Sequence, residues 1–138
     1  MHLLVAVLML FVGLTQLAPA QTPAERQSIQ AVITGQIDAF RRDDGAAAFA
    51  FASPDVQAIF RTEAQFMSMV RQGYLPVYRP SAVTFGTVTA AGEHMVQRVE
   101  VIGPDGQPHL ALYHMIPGAD GSWLIDGCEL TESDGVGT

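Results

Sequence analysis

The pattern of hydrophobic positions changes about halfway along the chain. Up to Gly73 the apolar residues recur at intervals of three or four, the spacing that places them on one face of a helix. After residue 80, apolar and polar residues alternate in four segments, as they do in strands with one buried face. The pattern predicts helices followed by strands, the order typical of an α+β domain.

Local start signals mark the predicted helices. The first signal is a hydroxyl cap, a proline at the first helical position and a carboxylate three residues after the cap, supplied by Thr22, Pro23 and Glu25. The helix that follows is predicted to run to about Arg42. Three shorter helices are predicted after it. One covers residues 46–52, the next begins at Ser53, and the last runs from Thr62 to Gly73. Asp43 and Asp44 precede the second helix, and we expect both to cap it.

Two prolines separate the helical half from the alternating half. Pro76 and Pro80 predict an extended connector over residues 74–80. Four strands are predicted beyond it, at residues 81–89, 94–102, 108–116 and 122–130. The segments between them are rich in Gly, Pro and Asp, which is typical of hairpins. The predicted fold is therefore α+β, with N-terminal helices packed on a four-stranded antiparallel meander.

Both faces of the predicted sheet carry apolar residues. The helices can cover one face, and the other face then needs a partner protein or a second subunit. We expect a homodimer formed through this open sheet face.

The first 20 residues have the features of an export signal. An apolar run over residues 3–14 precedes the small residues Ala18 and Ala20. The run is shorter than the roughly 20 residues that a membrane-spanning helix needs, although an uncleaved anchor is the alternative. We predict a cleaved signal peptide at residues 1–20, no stable membrane span afterwards, and a periplasmic or secreted protein. The single α+β domain is predicted at residues 21–130, and a flexible tail at 131–138.

The charge balance narrows the classes of partner. The chain has 14 acidic residues against 7 basic ones, all arginine, and a formal net charge of −7. This acidity argues against binding to nucleic acid. Cys128 is the only cysteine, so no intramolecular disulfide is possible, and its alternation with apolar neighbours predicts a buried, inert thiol.

Metal and cofactor sites are not expected. His109 and His114 lie five residues apart on one predicted strand and therefore point to opposite faces, so they cannot share a metal ion. The sequence has no phosphate-binding loop, nucleophile elbow or paired-cysteine motif. An acid–base dyad of His114 and Asp126 would require a bulge that shifts the strand register by one residue.

Five residues are candidates for contact with a ligand. They are His114, Trp123, Tyr74, Tyr78 and Arg79. His114 is the only polar side chain in an apolar strand, and it suits either a pocket or a satisfied position in the core or an interface. Trp123 also suits a core anchor. The aromatic and guanidinium groups of Tyr74, Tyr78 and Arg79 suit a pocket rim, or contacts that lock the connector against the sheet.

Five strings of residues carry a family resemblance across the region from Ser28 to Leu130. They are residues 36–44 (QIDAFRRDD), 47–54 (AAFAFASP), 69–74 (MVRQGY), 77–80 (VYRP) and 123–128 (WLIDGC). With these strings in this order, the chain resembles the bacterial family called domain of unknown function 4864, within the nuclear-transport-factor-2-like superfamily. The resemblance implies a curved sheet wrapped around the helices, a cone-shaped cavity and often a dimer through the sheet.

The resemblance implies no reaction, and no catalytic residue is carried over from the wider superfamily. We expect a non-enzymatic exported domain that binds a small apolar molecule in the cone, or a partner protein on the sheet face. Large phenylalanines suited to filling the cone argue against catalysis; they are Phe40, Phe49, Phe51, Phe60 and Phe66. The alternative is a proton-transfer isomerase or lyase, of the ketosteroid-isomerase or polyketide-cyclase kind, with Asp38, Asp126 or His114 as the base.

Overall fold

The structure is a computed structural model that describes residues 22–132, and helices precede strands throughout this part of the chain. The helices are α1 (Pro23–Arg41), α2 (Gly45–Ala50), α3 (Pro54–Phe60), α4 (Glu63–Gly73) and α5 (Leu75–Tyr78). The strands are β1 (Ala82–Ala91), β2 (His94–Ile102), β3 (Pro108–Pro117) and β4 (Trp123–Glu132). The predicted α+β order is confirmed. The predicted signal peptide and residues 133–138 lie outside the described residues, and β4 extends two residues into the predicted tail.

Short polar side chains cap the first four helices. The Thr22 hydroxyl accepts a hydrogen bond from the Glu25 amide at 3.1 Å, and Ser53 and Thr62 cap α3 and α4 in the same way. Asp44 caps α2 by accepting from the Ala47 amide. Asp43 does not cap this helix, contrary to prediction. It has a φ of 52° and directs its carboxylate towards the segment after α4.

The connector predicted to be extended instead contains a helical turn. Residues 75–78 form α5, in which the amide of Tyr78 donates to the carbonyl of Tyr74 at 3.0 Å. Pro76 lies in the first turn of α5, where a backbone N–H has no helical acceptor to lose. The prediction was wrong because it treated this proline as a barrier to any helix.

The four strands form one antiparallel sheet in the order β1-β2-β3-β4, which confirms the meander. Both edge strands contain a bulge. In β1, Gly86 and Thr87 together lie opposite Arg98. In β4, Asp126 is an extra residue, because Gly127 pairs with His114 whereas Ile125 pairs with Met115.

The helices cover one face of the sheet. The buried side chains of α1 pack on those of the strands to form the main core, which includes Ile29, Ile33, Ile37, Val99, Val101, Ala111, Tyr113 and Met115. A second cluster joins α1, α2, α4 and α5 around Phe40 and Phe66. The opposite sheet face carries half-buried apolar residues, namely Val96, Ile102, Leu110, Leu112, Ile116 and Leu124. Among residues 22–132, no helix has the length and apolar character needed to span a membrane.

Candidate functional site

A cavity of about 380 Å³ lies between the helices and the β4 side of the sheet. Its wall is built from α1, α3 and α4 on one side and from β3 and β4 on the other. Five aromatic residues line it: Phe40, Phe60, Phe66, Tyr74 and Tyr113. Gln36, Asp126 and the thiol of Cys128 are polar groups of the wall. His114 and Glu129 also border the cavity, but their side chains contact each other on the sheet face away from the helices. A mainly apolar wall with a few polar groups is typical of sites that bind small molecules.

Three of the five phenylalanines suited to filling the cone, Phe40, Phe60 and Phe66, line this cavity and leave space inside it. Phe66 lies at the centre of the group, with ring centroids 6.2 Å from Phe40, 5.6 Å from Phe60 and 5.3 Å from Phe49. Because the rings pack on one another from four different helices, they hold the helical side of the wall together.

The bulge in β4 is anchored to the start of α3. The hydroxyl of Ser53, which is fully buried, donates to Asp126 Oδ1 at 2.7 Å and accepts from the amide of Val56 at 3.3 Å. Backbone hydrogen bonds add to this contact, because Ser53 donates to the carbonyl of Ile125 and Ile125 donates to that of Phe51. The extra residue of the bulge is therefore fixed at the cavity wall.

His114 and Asp126 do not form a hydrogen-bonded dyad. The register shift that such a dyad required is present, and both residues line the cavity. However, His114 Nε2 lies 3.0 Å from Glu129 Oε1, whereas Asp126 accepts from Ser53. The two groups thus have separate partners.

Tyr113, Tyr74 and Cys128 form the wall where β3 meets β4. Tyr113 is only 1% exposed, and its hydroxyl has no hydrogen-bond partner among the described residues. Burial raises the pKa of Tyr113 well above its ordinary value, so that its hydroxyl stays protonated. The Tyr74 hydroxyl donates to the carbonyl of Cys128 at 3.0 Å, and burial raises the pKa of Tyr74. Burial also raises the pKa of the Cys128 thiol to about 12.

The sequence of this domain has a match among protein families. The family model described as domain of unknown function (DUF4864) matches residues 22–138 and so includes every element of the fold. The chain belongs to the DUF4864 family. A search of curated proteins found no match.

The DUF4864 cavity brings together two of the five residues predicted to contact a ligand. His114 and Tyr74 line it, whereas Trp123, Tyr78 and Arg79 lie elsewhere. Trp123 is half-buried and packs against the main core. The ligand contacts of all five residues stay predictions.

Tyr78 and Arg79 join the end of α1 to the segment after α4. The Tyr78 hydroxyl donates to Asp43, and Arg79 donates to Asp43 Oδ2 at 2.9 Å and to the carbonyl of Phe40. The Arg79 guanidinium also lies 4.0 Å from the centre of the Tyr78 ring. These contacts hold the connector to the end of α1, whereas the sequence predicted that the two residues would lock it against the sheet.

Sequence reasoning did not single out Tyr113 or Glu129. Tyr113 lies among the apolar residues of β3, and its place opposite Cys128 depends on the bulge. The alternation Ala111, Tyr113, Met115 was the available signal, since it puts a hydroxyl-bearing ring on the face that the helices cover. Within residues 22–132, no group of three His, Cys, Asp or Glu side chains is placed to hold a metal ion.

Proposed function

We propose that this DUF4864 domain is a non-enzymatic binding protein that holds a small, mostly apolar molecule in the cavity. The cavity itself carries the proposal, because its size falls within the range of small-molecule sites and five aromatic rings line it. Burying an apolar ligand against such walls is favourable, by about 25 cal/mol for each Å² of apolar surface removed from water.

The mouth of the cavity supports the same function. Val56, Ile59 and Phe60 of α3 line the cavity, yet none of the residues of this helix is buried. Ile59 is 72% exposed, which is unusual for a large apolar side chain. An apolar ligand that contacts α3 would cover part of this exposed surface.

We further propose that the domain acts after export and as a dimer. The apolar run and small residues of positions 1–20 support export to the periplasm or beyond the cell. The half-buried apolar residues on the sheet face away from the helices support pairing with a second copy. Mass measurement of the protein isolated from its host tests the first point, since cleavage after Ala20 predicts Gln21 as the new N-terminus.

Native mass spectrometry of the protein purified from its own host tests the binding function. We expect a reproducible additional mass on the wild-type protein. A Val56→Trp variant, which places a large ring at the cavity wall, should lose that mass. Ala58→Trp is the matched control, because Ala58 lies on the same helix, is exposed and does not line the cavity. Loss of the mass in neither variant, or in both, would contradict binding in this cavity.

The alternative function is a proton-transfer isomerase or lyase, and Asp126 is the residue that favours it. Its carboxylate is held at the cavity wall by Ser53 and can serve as a base. Asp38 does not line the cavity; its carboxylate lies 3.4 Å from Arg41. An enzyme of this kind would exchange the α-protons of a bound ketone for deuterium in D₂O, and Asp126→Asn would abolish that exchange. Absence of exchange by the wild-type protein with a ketone that it binds would count against catalysis.

A further inference from the structure

The Tyr113 hydroxyl is an unused hydrogen-bond donor in the wall of the cavity. Two buried side-chain polar atoms lack a partner within the described residues, Tyr113 Oη and His109 Nε2, and of these only Tyr113 belongs to the cavity. A buried hydroxyl without an acceptor is unfavourable, because it has lost its hydrogen bonds to water.

The neighbouring polar groups of the wall are already engaged. The Tyr74 hydroxyl donates to the carbonyl of Cys128, and Gln36 Nε2 donates to the carbonyl of Ala48 at 3.1 Å. Asp126 accepts from Ser53. The Cys128 thiol is the polar group nearest in kind to a partner for the Tyr113 hydroxyl, but sulfur is only a weak acceptor and no hydrogen bond of good geometry forms. A carbonyl oxygen of a molecule in the cavity would be a stronger acceptor for Tyr113 than any group of the wall.

We propose that the ligand is a neutral apolar molecule with a carbonyl oxygen that accepts a hydrogen bond from the Tyr113 hydroxyl. This inference rests on the proposed binding function and adds the chemical class of the ligand. Aromatic rings contact the apolar body of the ligand, and the Tyr113 hydroxyl orients its oxygen.

The charges of the wall select a neutral carbonyl over a carboxylic acid. The carboxylate of Asp126 is held at the cavity wall, and the lining contains neither arginine nor lysine. The side chain of Glu129 lies on the other sheet face, where it contacts His114. A ligand carboxylate would therefore meet one like charge with no cation to offset it. A ketone, ester or amide offers the same acceptor oxygen without the charge.

Three probes of similar shape separate the effects of apolar contact, of a carbonyl acceptor and of a negative charge on binding. They are 2-acetonaphthone, 2-ethylnaphthalene and 2-naphthoate, whose dissociation constants for the protein as isolated from its host are measured by equilibrium dialysis. We expect the ketone to bind roughly 3- to 10-fold more tightly than the hydrocarbon, the range of one net hydrogen bond. The carboxylate should bind more weakly than either.

Tyr113→Phe isolates the hydroxyl. Because that hydroxyl lacks a partner in the protein, its removal should leave the unfolding midpoint in urea unchanged or raise it, while abolishing the preference for the ketone. Tyr78→Phe is the matched control, because Tyr78 does not line the cavity. It removes a hydroxyl that donates to Asp43, so it should lower the midpoint and retain the ketone preference.

Two further results would contradict the carbonyl contact or the binding function itself. Equal binding of ketone and hydrocarbon by the wild-type protein, or a ketone preference that survives in Tyr113→Phe, overturns the inference while leaving apolar binding in place. Absence of binding by all three probes to protein that carries no additional mass overturns the proposed function together with the inference.

Discussion

At the residue scale, Asp43 shows how one carboxylate joins distant parts of the chain. Its left-handed backbone, a conformation that Asp tolerates better than most residues, turns the chain at the end of α1. The carboxylate then accepts from Tyr78 and Arg79, about 35 positions further along. The hydrogen bond from Tyr78, together with the charge of Arg79, holds the pKa of Asp43 below its ordinary value.

A lowered pKa makes this contact sensitive to acid. The stability that Asp43 contributes is present when the pH exceeds the unfolded pKa, and it is lost as the pH falls through the lower folded pKa. We therefore expect the free energy of unfolding to fall as the pH drops below about 4, and to fall less steeply in Asp43→Asn. Urea unfolding at pH 7 and pH 3 measures both slopes. Asp38→Asn removes a carboxylate from the last turn of α1 without touching Tyr78 or Arg79, and an identical effect of the two variants would contradict this role.

The Cys128 thiol provides a second prediction at this scale. Since burial raises its pKa to about 12, almost no thiolate exists at pH 8 in the folded protein. Iodoacetamide at pH 8 should leave the native protein unlabelled and modify it fully in concentrated urea, as followed by intact mass. Rapid labelling of the folded protein would show that the thiol is accessible and reactive.

At the scale of the elements, α1 contains a glycine where it crosses the end of α2. A Cβ atom on Gly35 would lie 2.7 Å from Cζ of Phe51, closer than packed carbon atoms approach. Phe51 itself packs against the main core. The glycine therefore lets α1 and the residue after α2 come together, at some cost in helix propensity.

Substitutions at two glycines should consequently have opposite effects on the free energy of unfolding. Gly35→Ala should lower the free energy of unfolding by about 1 kcal/mol, because overpacking outweighs the gain in helix propensity. Gly73→Ala, at the end of α4, meets nothing within 4 Å and should raise stability by about 0.5 kcal/mol. Urea unfolding of both variants tests the pair, and a gain from Gly35→Ala would mean that Phe51 moves aside freely.

Local signals explain which elements the sequence predicted. Caps such as Thr22 and Ser53 act within three residues, and strand alternation is equally local, so both were predictable. The turn of α5 was missed because the role of Pro76 depends on where the helix starts. The cavity was harder still. The cavity depends on the bulge of β4 at Asp126 and on the position of α3 next to β4. Both are set by tertiary contacts such as the Ser53–Asp126 hydrogen bond.

At the scale of the whole molecule, the sheet face away from the helices provides the test of the proposed dimer. Leu112 lies near the centre of this face and is half-buried. We expect sedimentation equilibrium to show a dimer at micromolar concentrations and Leu112→Arg to shift it to a monomer with an unchanged circular dichroism spectrum. Thr34→Arg, at an exposed position of α1 on the helical side of the molecule, should remain dimeric. A wild-type monomer across this range would contradict the dimer.

The two strand bulges affect the tendency of the protein to aggregate through the edges of its sheet. In β1 the buried amide of Gln97 donates to the carbonyls of Gly86 and Arg98, which holds the bulge in place. Only four regular residues remain on either side of it, at 82–85 and 88–91. At the other edge, the Ile125 backbone is already paired with the chain before α3. Because neither edge offers a long, regular row of free backbone groups, the fold is protected against the strand-by-strand addition that builds fibrils.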